Sequence, residues 1–420
     1  MCPFTELQGQ DAGYVPGGLH RRLARCHERA TMAPMNLLYI SPDFPPNYAS
    51  FSVALAQAGV NVLGVGEAAF FEMPERTRDH LLWYVRANLH DPGDVLRAVG
   101  ELEGVLATRD LGAIELCESH NEAWMRLEAL VNAALGLPGI RPADLERLQR
   151  KSVMKQQFRE HGLPAAPGLL VGDREACFRL GEEVGYPLLL KPDLGVGAMG
   201  VRRVDDRAEL AFYLSRLTEP YVLEQFLHGR MVTYDGLADW DGNVIFDSSL
   251  VYGSGVLESV SGGDTFFYSR RAIPPALAAM GRSIVGMFGI RRKFFHLEFF
   301  ETGRGELVPV EVNARPPGGP ILDLMNFSAD CDLYAAYAAM LTGRPVALPE
   351  AKPFFCAYAG RKERPYRHSQ EQILERYGAA IVEHGENPPL HWIGMGRQRY
   401  LYRTTEEVAV HEFRELVFAT

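Results

Sequence analysis

Phe294-Phe295-His296-Leu297-Glu298-Phe299-Phe300, followed by the linker Glu301-Thr302-Gly303-Arg304-Gly305-Glu306 and then by Leu307-Val308-Pro309-Val310-Glu311-Val312-Asn313-Ala314-Arg315, is the stretch on which the reading of this chain turns. Two apolar runs of strand type flank a turn-rich linker, which predicts a β-hairpin. Each strand carries a carboxylate inside its apolar run. A carboxylate buried alone costs several kcal/mol, so each of these needs a partner. Glu311, Asn313 and Arg315 recur at every second residue and therefore share one face. Glu298 on the neighbouring strand can join them. Two carboxylates and an amide oxygen are hard ligands, suited to Mg2+ that also holds phosphates. Arg315 adds a forked donor for phosphoryl oxygens. The plainer alternative is a sheet whose polar face is wet.

The rest of the chain bounds what this hairpin serves. At 420 residues it is too long for one core and predicts about two to four domains. Hydrophobic residues make up 47% and charged residues 23%, the composition of an ordinary globular protein. A net charge of -10 argues against a nucleic-acid scaffold, and the basic pairs, such as Arg202-Arg203 and Arg270-Arg271, are scattered. Cys2, Cys26, Cys117, Cys177, Cys331 and Cys356 lie far apart, without zinc or disulfide spacing. That fits a reducing, cytoplasmic setting. No segment has the length and apolarity of a membrane span. Residues 1–34 lack the apolar core of a signal peptide and read as a loosely ordered extension.

Along the chain, Asn36–Ile40 and Val60–Val65 read as strands around a helix near Ser50–Ala58, a βαβ start that implies a parallel sheet. Gly64-Val65-Gly66 is too short for a dinucleotide fingerprint. Glu118 and His120 lie past a strand's carboxyl end, where a helix cap and a functional role both remain open. One helix is expected over 144–161, carrying Lys151 and Lys155. The strand Pro187-Leu188-Leu189-Leu190-Lys191-Pro192 ends in a lysine and runs into Gly195-Val196-Gly197-Ala198-Met199-Gly200. Such a loop can turn backbone N–H groups toward phosphates, although it lacks the Gly-Lys-Ser/Thr of a Walker loop. Tyr221–Leu227 is a strand, Asp241-Gly242 a hairpin turn, and 251–265 a Gly/Ser-rich loop. The last 75 residues mix short strand and helix patterns, as in a small appended subdomain.

In this order the motifs resemble the ATP-grasp superfamily, specifically its carboxylate–amine ligases, which include the L-amino-acid ligases. The resemblance runs from about Asn36 to Pro345. It rests on Lys151 followed by Gly162-Leu163-Pro164-Ala165-Ala166-Pro167. It rests also on Tyr186 to Pro192 with its glycine loop and Val222-Leu223-Glu224-Gln225-Phe226-Leu227. The third element is Glu298 with Glu311-x-Asn313-x-Arg315-Pro316-x-Gly318-Gly319. It implies an α/β and α+β multidomain fold. The parts are an extension at 1–34, a parallel α/β domain at 35–142, ATP-grasp lid and catalytic subdomains at 143–225 and 226–345, and a C-terminal α+β subdomain at 346–420.

The resemblance also implies roles. Lys151 and Lys191, with Gly197 and Gly200, would meet ATP phosphates. Glu224 would accept from the adenine amino group, and the backbone of Gln225, Phe226 and Leu227 would complete that hinge. Glu298, Glu311 and Asn313 would hold two Mg2+ ions, or Mn2+ in their place. Arg315 and Lys191 would steady the transferred phosphoryl group. Glu258, Ser261, Gly262, Arg270, Gly318 and Gly319 are candidates for the substrate side, with a structural salt bridge an equal reading for Arg270. Met231 departs from the pattern, since many relatives carry a ribose-binding glutamate there. The implied reaction is ATP-dependent joining of a carboxylate to an amine, or to a thiol, through an acyl phosphate. The alternatives are a carboxylase, a small-molecule kinase or a non-catalytic ATP-binding protein. The expected partners are a small carboxylate and an amine, with no nucleic acid or membrane, and with a homodimer left open.

Overall fold

A computed structural model describes residues 34–195, 199–253 and 262–420. The expectations for 1–33 and for Gly197, Glu258 and Ser261 lie outside the described residues. The fold is mixed α/β, as expected, and divides into two units. One takes residues up to 143 and then 334–346; the other takes 144–333 and 347–420.

The first unit is built on β1 (Asn36–Ile40), α1 (Ala49–Gln57), β2 (Asn61–Gly66), β3 (Trp83–Arg86), α2 (Pro92–Thr108), β4 (Leu116–Glu118) and α3 (Met125–Leu135). Its sheet runs β3-β2-β1-β4, with β1 parallel to both β2 and β4. All five residues of β1 are buried, the continuous apolar run of a strand covered on both faces. Leu38, Ile40, Leu63, Val65, Val99 and Leu102 form its core. Asp91 caps α2 through Gly93 N–H, with Pro92 as the first helical residue.

The second unit opens with a break. In place of one helix over 144–161 there are α4 (Leu145–Gln149) and α5 (Lys151–Glu160). Arg150 between them is extended, at ψ 117. The cause is Asp193, which is fully buried. It accepts from Ser152 N–H at 2.8 Å and from Arg150 Nη1 at 2.9 Å, and its carbonyl takes Lys151 N–H at 3.0 Å. The N-terminus of α5 is therefore capped from a distant loop. Next come β5 (Gly168–Leu170), α6 (Arg174–Val184), β6 (Leu188–Pro192), β7 (Arg202–Val204), α7 (Arg207–Leu214) and β8 (Tyr221–Gln225). They make an antiparallel sheet in the order β5-β8-β6-β7. Leu188, Leu190 and Leu223 face its core with Cys177 and Phe178 of α6. By alternation Leu189, Lys191 and Glu224 face the other way.

A larger sheet follows. Its strands are β9 (Gly229–Ala238), β10 (Val244–Ser248), β11 (Leu250–Tyr252), β12 (Thr265–Ser269), β13 (Phe294–Thr302) and β14 (Leu307–Asn313). The helix α8 (Pro275–Met287) precedes the hairpin β13–β14, and α9 (Ile321–Ala329) follows it. From the C-terminal stretch come β15 (Phe355–Arg361), α10 (Gln370–Tyr377), β16 (Ile381–Glu386), β17 (Gln398–Thr404) and α11 (Glu407–Phe418). The order is β14-β13-β9-β11-β12-β15-β17-β16, with β10 paired to β9. The predicted hairpin is present. The apolar run at 244–250 splits, because Leu250 leaves β9's partner β10 and continues as β11 beside β12.

Candidate active site

Register brings the hairpin's polar residues together. Glu298 stands directly opposite Glu311, and His296 opposite Asn313. On the other side of β13, Glu298 pairs with Thr233 and His296 with Asp235 of β9. Directly paired residues share a face, so six polar side chains occupy one patch of one sheet face. Like charges placed opposite each other repel, and each acid here is met by a cation. Lys151, the first residue of α5, has Nζ 3.2 Å from Glu311 Oε1 and donates to Gly195 O at 2.9 Å. His296 Nδ1 lies 2.5 Å from Asp235 Oδ1, and its Nε2 lies 3.3 Å from Glu298 Oε1. Arg315 Nη2 donates to Asn313 Oδ1 at 3.2 Å, and its Nη1 to Pro316 O at 2.9 Å.

Burial opposes charge on His296, but the Asp235 and Glu298 carboxylates outweigh it and raise the imidazole to about 9. Burial raises the facing Asp235 carboxyl in turn, with His296 opposing that rise. Burial alone would raise Glu298; His296, Arg315 and Lys151 hold it below the usual carboxylate range. Burial pushes the Tyr252 hydroxyl well up, with Glu298 and Asp235 adding to the effect.

The smaller sheet supplies a second cluster. Lys191, the last residue but one of β6, is a diagonal neighbour of Glu224 on β8. The Glu224 carboxylate lies between two ammonium groups, 2.5 Å from Lys191 Nζ and 2.5 Å from Lys155 Nζ. Burial favours its neutral form, but Lys191 and Lys155 overcome this and hold it at about 2. Gly168 on β5 pairs with Glu224, and a Cβ there would stand 2.8 Å from Glu224 Cβ. Bare backbone is what lets β5 lie this close. Beyond Glu224, Gln225 N–H donates to Pro167 O at 2.9 Å and Phe226 N–H to Pro187 O at 3.4 Å, with Leu227 next in the chain.

Among the predicted residues, the structure gathers Lys151, Glu298, Glu311, Asn313 and Arg315 in one patch and Lys191 with Glu224 in another. Gly200, at φ 76, lies so close to Pro192 that a Cβ there would stand 2.8 Å from its Cγ. Gly318 and Gly319 directly follow the Arg315 turn, and Gly319 at φ 61 adopts a conformation that disfavours side chains. Gly262 precedes β12, and no contact among the described residues joins it to the cluster. Arg270 is not brought there. It pairs with Glu301 Oε2 at 3.2 Å, and Glu301, three residues past Glu298 on β13, points to the opposite face. Its structural reading is the one the geometry favours.

Lys155, Asp193, Asp235, His296 and Tyr252 were not assigned by the sequence reading. Lys155 carries a signal, lying one helical turn from Lys151. Asp235 meets His296 only through the register of β9 on β13. The donor set fits Mg2+ in kind. Among the described residues no three His, Cys, Asp or Glu form a metal-holding group. Were Mg2+ held by two carboxylates and an amide, phosphate oxygens and water would complete its shell, as is usual for this ion. No helix among the described residues is long and apolar enough to cross a membrane.

Residues 150–249 match a family model described as the carbamoyl-phosphate synthase L chain, ATP binding domain. The arginine-specific carbamoyl phosphate synthase large chain of Bacillus subtilis (strain 168) is 30% identical over 115 residues. That is 27% of this chain, which spans only 11% of the relative's length. Among solved structures, an L-amino acid ligase from Bacillus licheniformis superposes with a TM-score of 0.68 at 18% identity, covering 92% of this chain and 98% of that one. The biotin carboxylase domain of 2-oxoglutarate carboxylase from Hydrogenobacter thermophilus, in complex with MgADP, ADP and bicarbonate, gives 0.62 at 15% identity, with 92% and 90% covered. At such identities the likeness speaks to the fold.

Proposed function

We propose, on the premise that this chain belongs to the ATP-grasp superfamily, that it is an ADP-forming ligase that joins a small carboxylate, such as an amino acid, to an amine or thiol. The observation that carries the reading is the 3.2 Å contact of Lys151 with Glu311. An ammonium rooted beside the glycine loop reaches the paired acids of the hairpin.

Glu298, Glu311 and Asn313 would hold Mg2+, which supplies charge neutralisation on the nucleotide phosphates. Lys151 and Lys191 bind the phosphates, and Glu224 accepts from the base's exocyclic amine. The substrate carboxylate attacks the γ-phosphorus of ATP, giving an acyl phosphate and ADP. The amine then adds to the acyl carbon, and phosphate leaves with the formation of the amide. Arg315, held by Asn313 and Pro316, presents a fixed fork to the transferred phosphoryl oxygens. No nucleophilic side chain is required. Phosphoryl transfer asks mainly for positioning and charge.

The test is ADP release by the full chain with ATP and Mg2+ across pools of carboxylates and amines. Release that requires both supports the ligase. Release with bicarbonate alone points to a carboxylase, and a stable phosphorylated product formed without amine points to a kinase. ATP turnover indifferent to every carboxylate rejects the proposal, and ATP binding with no turnover leaves a binding protein. Glu311→Gln should abolish turnover while thermal melting shows an intact fold.

A further inference from the structure

The Glu224 cluster holds a cation that the proposed chemistry does not employ. Lys155 is 3% exposed, and its Nζ takes one oxygen of Glu224 while Lys191 takes the other. Keeping it charged there is costly. Burial lowers it most, Glu224 pulls it back up, and Lys191 and Arg159 push it down, which together leave it at about 8. A buried ion pair with no role beyond stability can usually be replaced by apolar side chains without loss, so the second lysine calls for a use.

The geometry suggests that use. If Lys191 alone met Glu224, the pair would close on itself, and the lysine needed by an anion would be spent. With Lys155 sharing the carboxylate, two positive charges face one negative charge, and the cluster keeps a net positive charge. An ammonium group also stands at each oxygen of the carboxylate. Groups acting on Lys155 come from each element against it: Glu224 on β8, Lys191 on β6 and Arg159 on its own helix α5.

We infer that Lys155 is a positioning residue of a nucleotide site: it holds Glu224 as a fixed acceptor for a base's exocyclic amine and leaves Lys191 available to phosphate. This rests on the ATP-dependent reading above, and the experiment separates the two. Binding of ATP and of ITP, whose base carries an oxo group in place of the amine, is measured by calorimetry on the full chain with Mg2+ between pH 6.5 and 8.5, below the range where His296 titrates.

The wild type should prefer ATP and lose affinity as pH rises through about 8, where Lys155 gives up its proton. Lys155→Met should weaken ATP by about tenfold or more, which is about 1.4 kcal/mol, and should erode the preference over ITP. Lys155→Arg keeps its charge throughout this range, so it should restore most of the affinity and abolish the alkaline fall. The inference is overturned if folded Lys155→Met retains affinity and base preference within about twofold. It is equally overturned if Lys155→Arg keeps the alkaline fall, which decides the matter should the Met variant not fold. A wild type that binds neither nucleotide removes the ATP-dependent reading and this inference with it. A wild type that binds ATP, with variants unchanged, removes this inference alone.

Discussion

Asp193 gives the sharpest prediction about how the site is held. Its side chain caps α5 through Ser152 N–H and pairs with Arg150. Replacing Asp193 by Ala removes a cap worth about 1 kcal/mol. It also removes a charge-assisted hydrogen bond of about 1.5–3 kcal/mol, which is discounted to about 1–2 because Arg150 is 31% exposed and can turn to water. The sum is about 2–3 kcal/mol, close to a hundredfold in a local opening equilibrium. Asp193→Asn keeps an oxygen for Ser152 N–H and should cost about 1 kcal/mol. Hydrogen exchange of peptides spanning 150–160 reads this locally, which suits a chain of two units better than a single unfolding midpoint. The α5 amides should exchange about a hundredfold faster in Asp193→Ala and about fivefold faster in Asp193→Asn. Protection unchanged within about threefold in the Ala variant would refute the claim that this loop fixes the helix.

Three further outcomes are expected. Glu224 is held at about 2, against an ordinary value of 4.5. The unfolded chain therefore takes up this proton first, and the carboxylate's contribution of about 3 kcal/mol is full above about pH 4.5 and is lost as pH falls toward 2. Denaturation between pH 5 and 3 should show a shallower acid slope in Glu224→Gln, on a lower overall stability; an unchanged slope contradicts the assignment. Gly236→Ala would drive a Cβ against the Phe246 carbonyl and to 2.6 Å from Phe295 Cζ. It should cost about 3 kcal/mol or more by overpacking, and a melting temperature within a degree of wild type would count against the packing described. Arg270→Met should leave turnover within about twofold, because its partner Glu301 points away from the acid patch; a large loss of turnover without loss of stability would return Arg270 to the site.

The hairpin was legible because a strand's two-residue period assigns faces without any partner. Glu311, Asn313 and Arg315 needed nothing else, but Glu298 comes to stand opposite Glu311 only through a one-residue register shift between Glu298 and Phe299, which the turn does not announce. Lys191 at a strand end and the helix over 174–184 were legible for similarly local reasons. What depends on distant pairing was not. Asp235 reaches His296 across 61 residues, and nothing in either segment announces the register. Arg150 sits in a helical pattern and is pulled out of it by Asp193, a tertiary contact overriding propensity. Arg270 looked available because its charge is visible in sequence and its sheet face is not. The last 75 residues show a mix of short strand and helix patterns, but these carry no sign that β15 pairs with β12.

That last pairing bears on how the molecule is made. On the ribosome β12 emerges almost ninety residues before β15, and the first unit likewise waits for 334–346. For that interval the nascent chain carries an open strand edge, with Phe266, Phe267 and Tyr268 along it, and such an edge is a template for pairing with other chains. Truncation near residue 350 should therefore yield an aggregating product rather than a smaller soluble one. Synthesis at low temperature or beside chaperones should favour recovery of the intact protein.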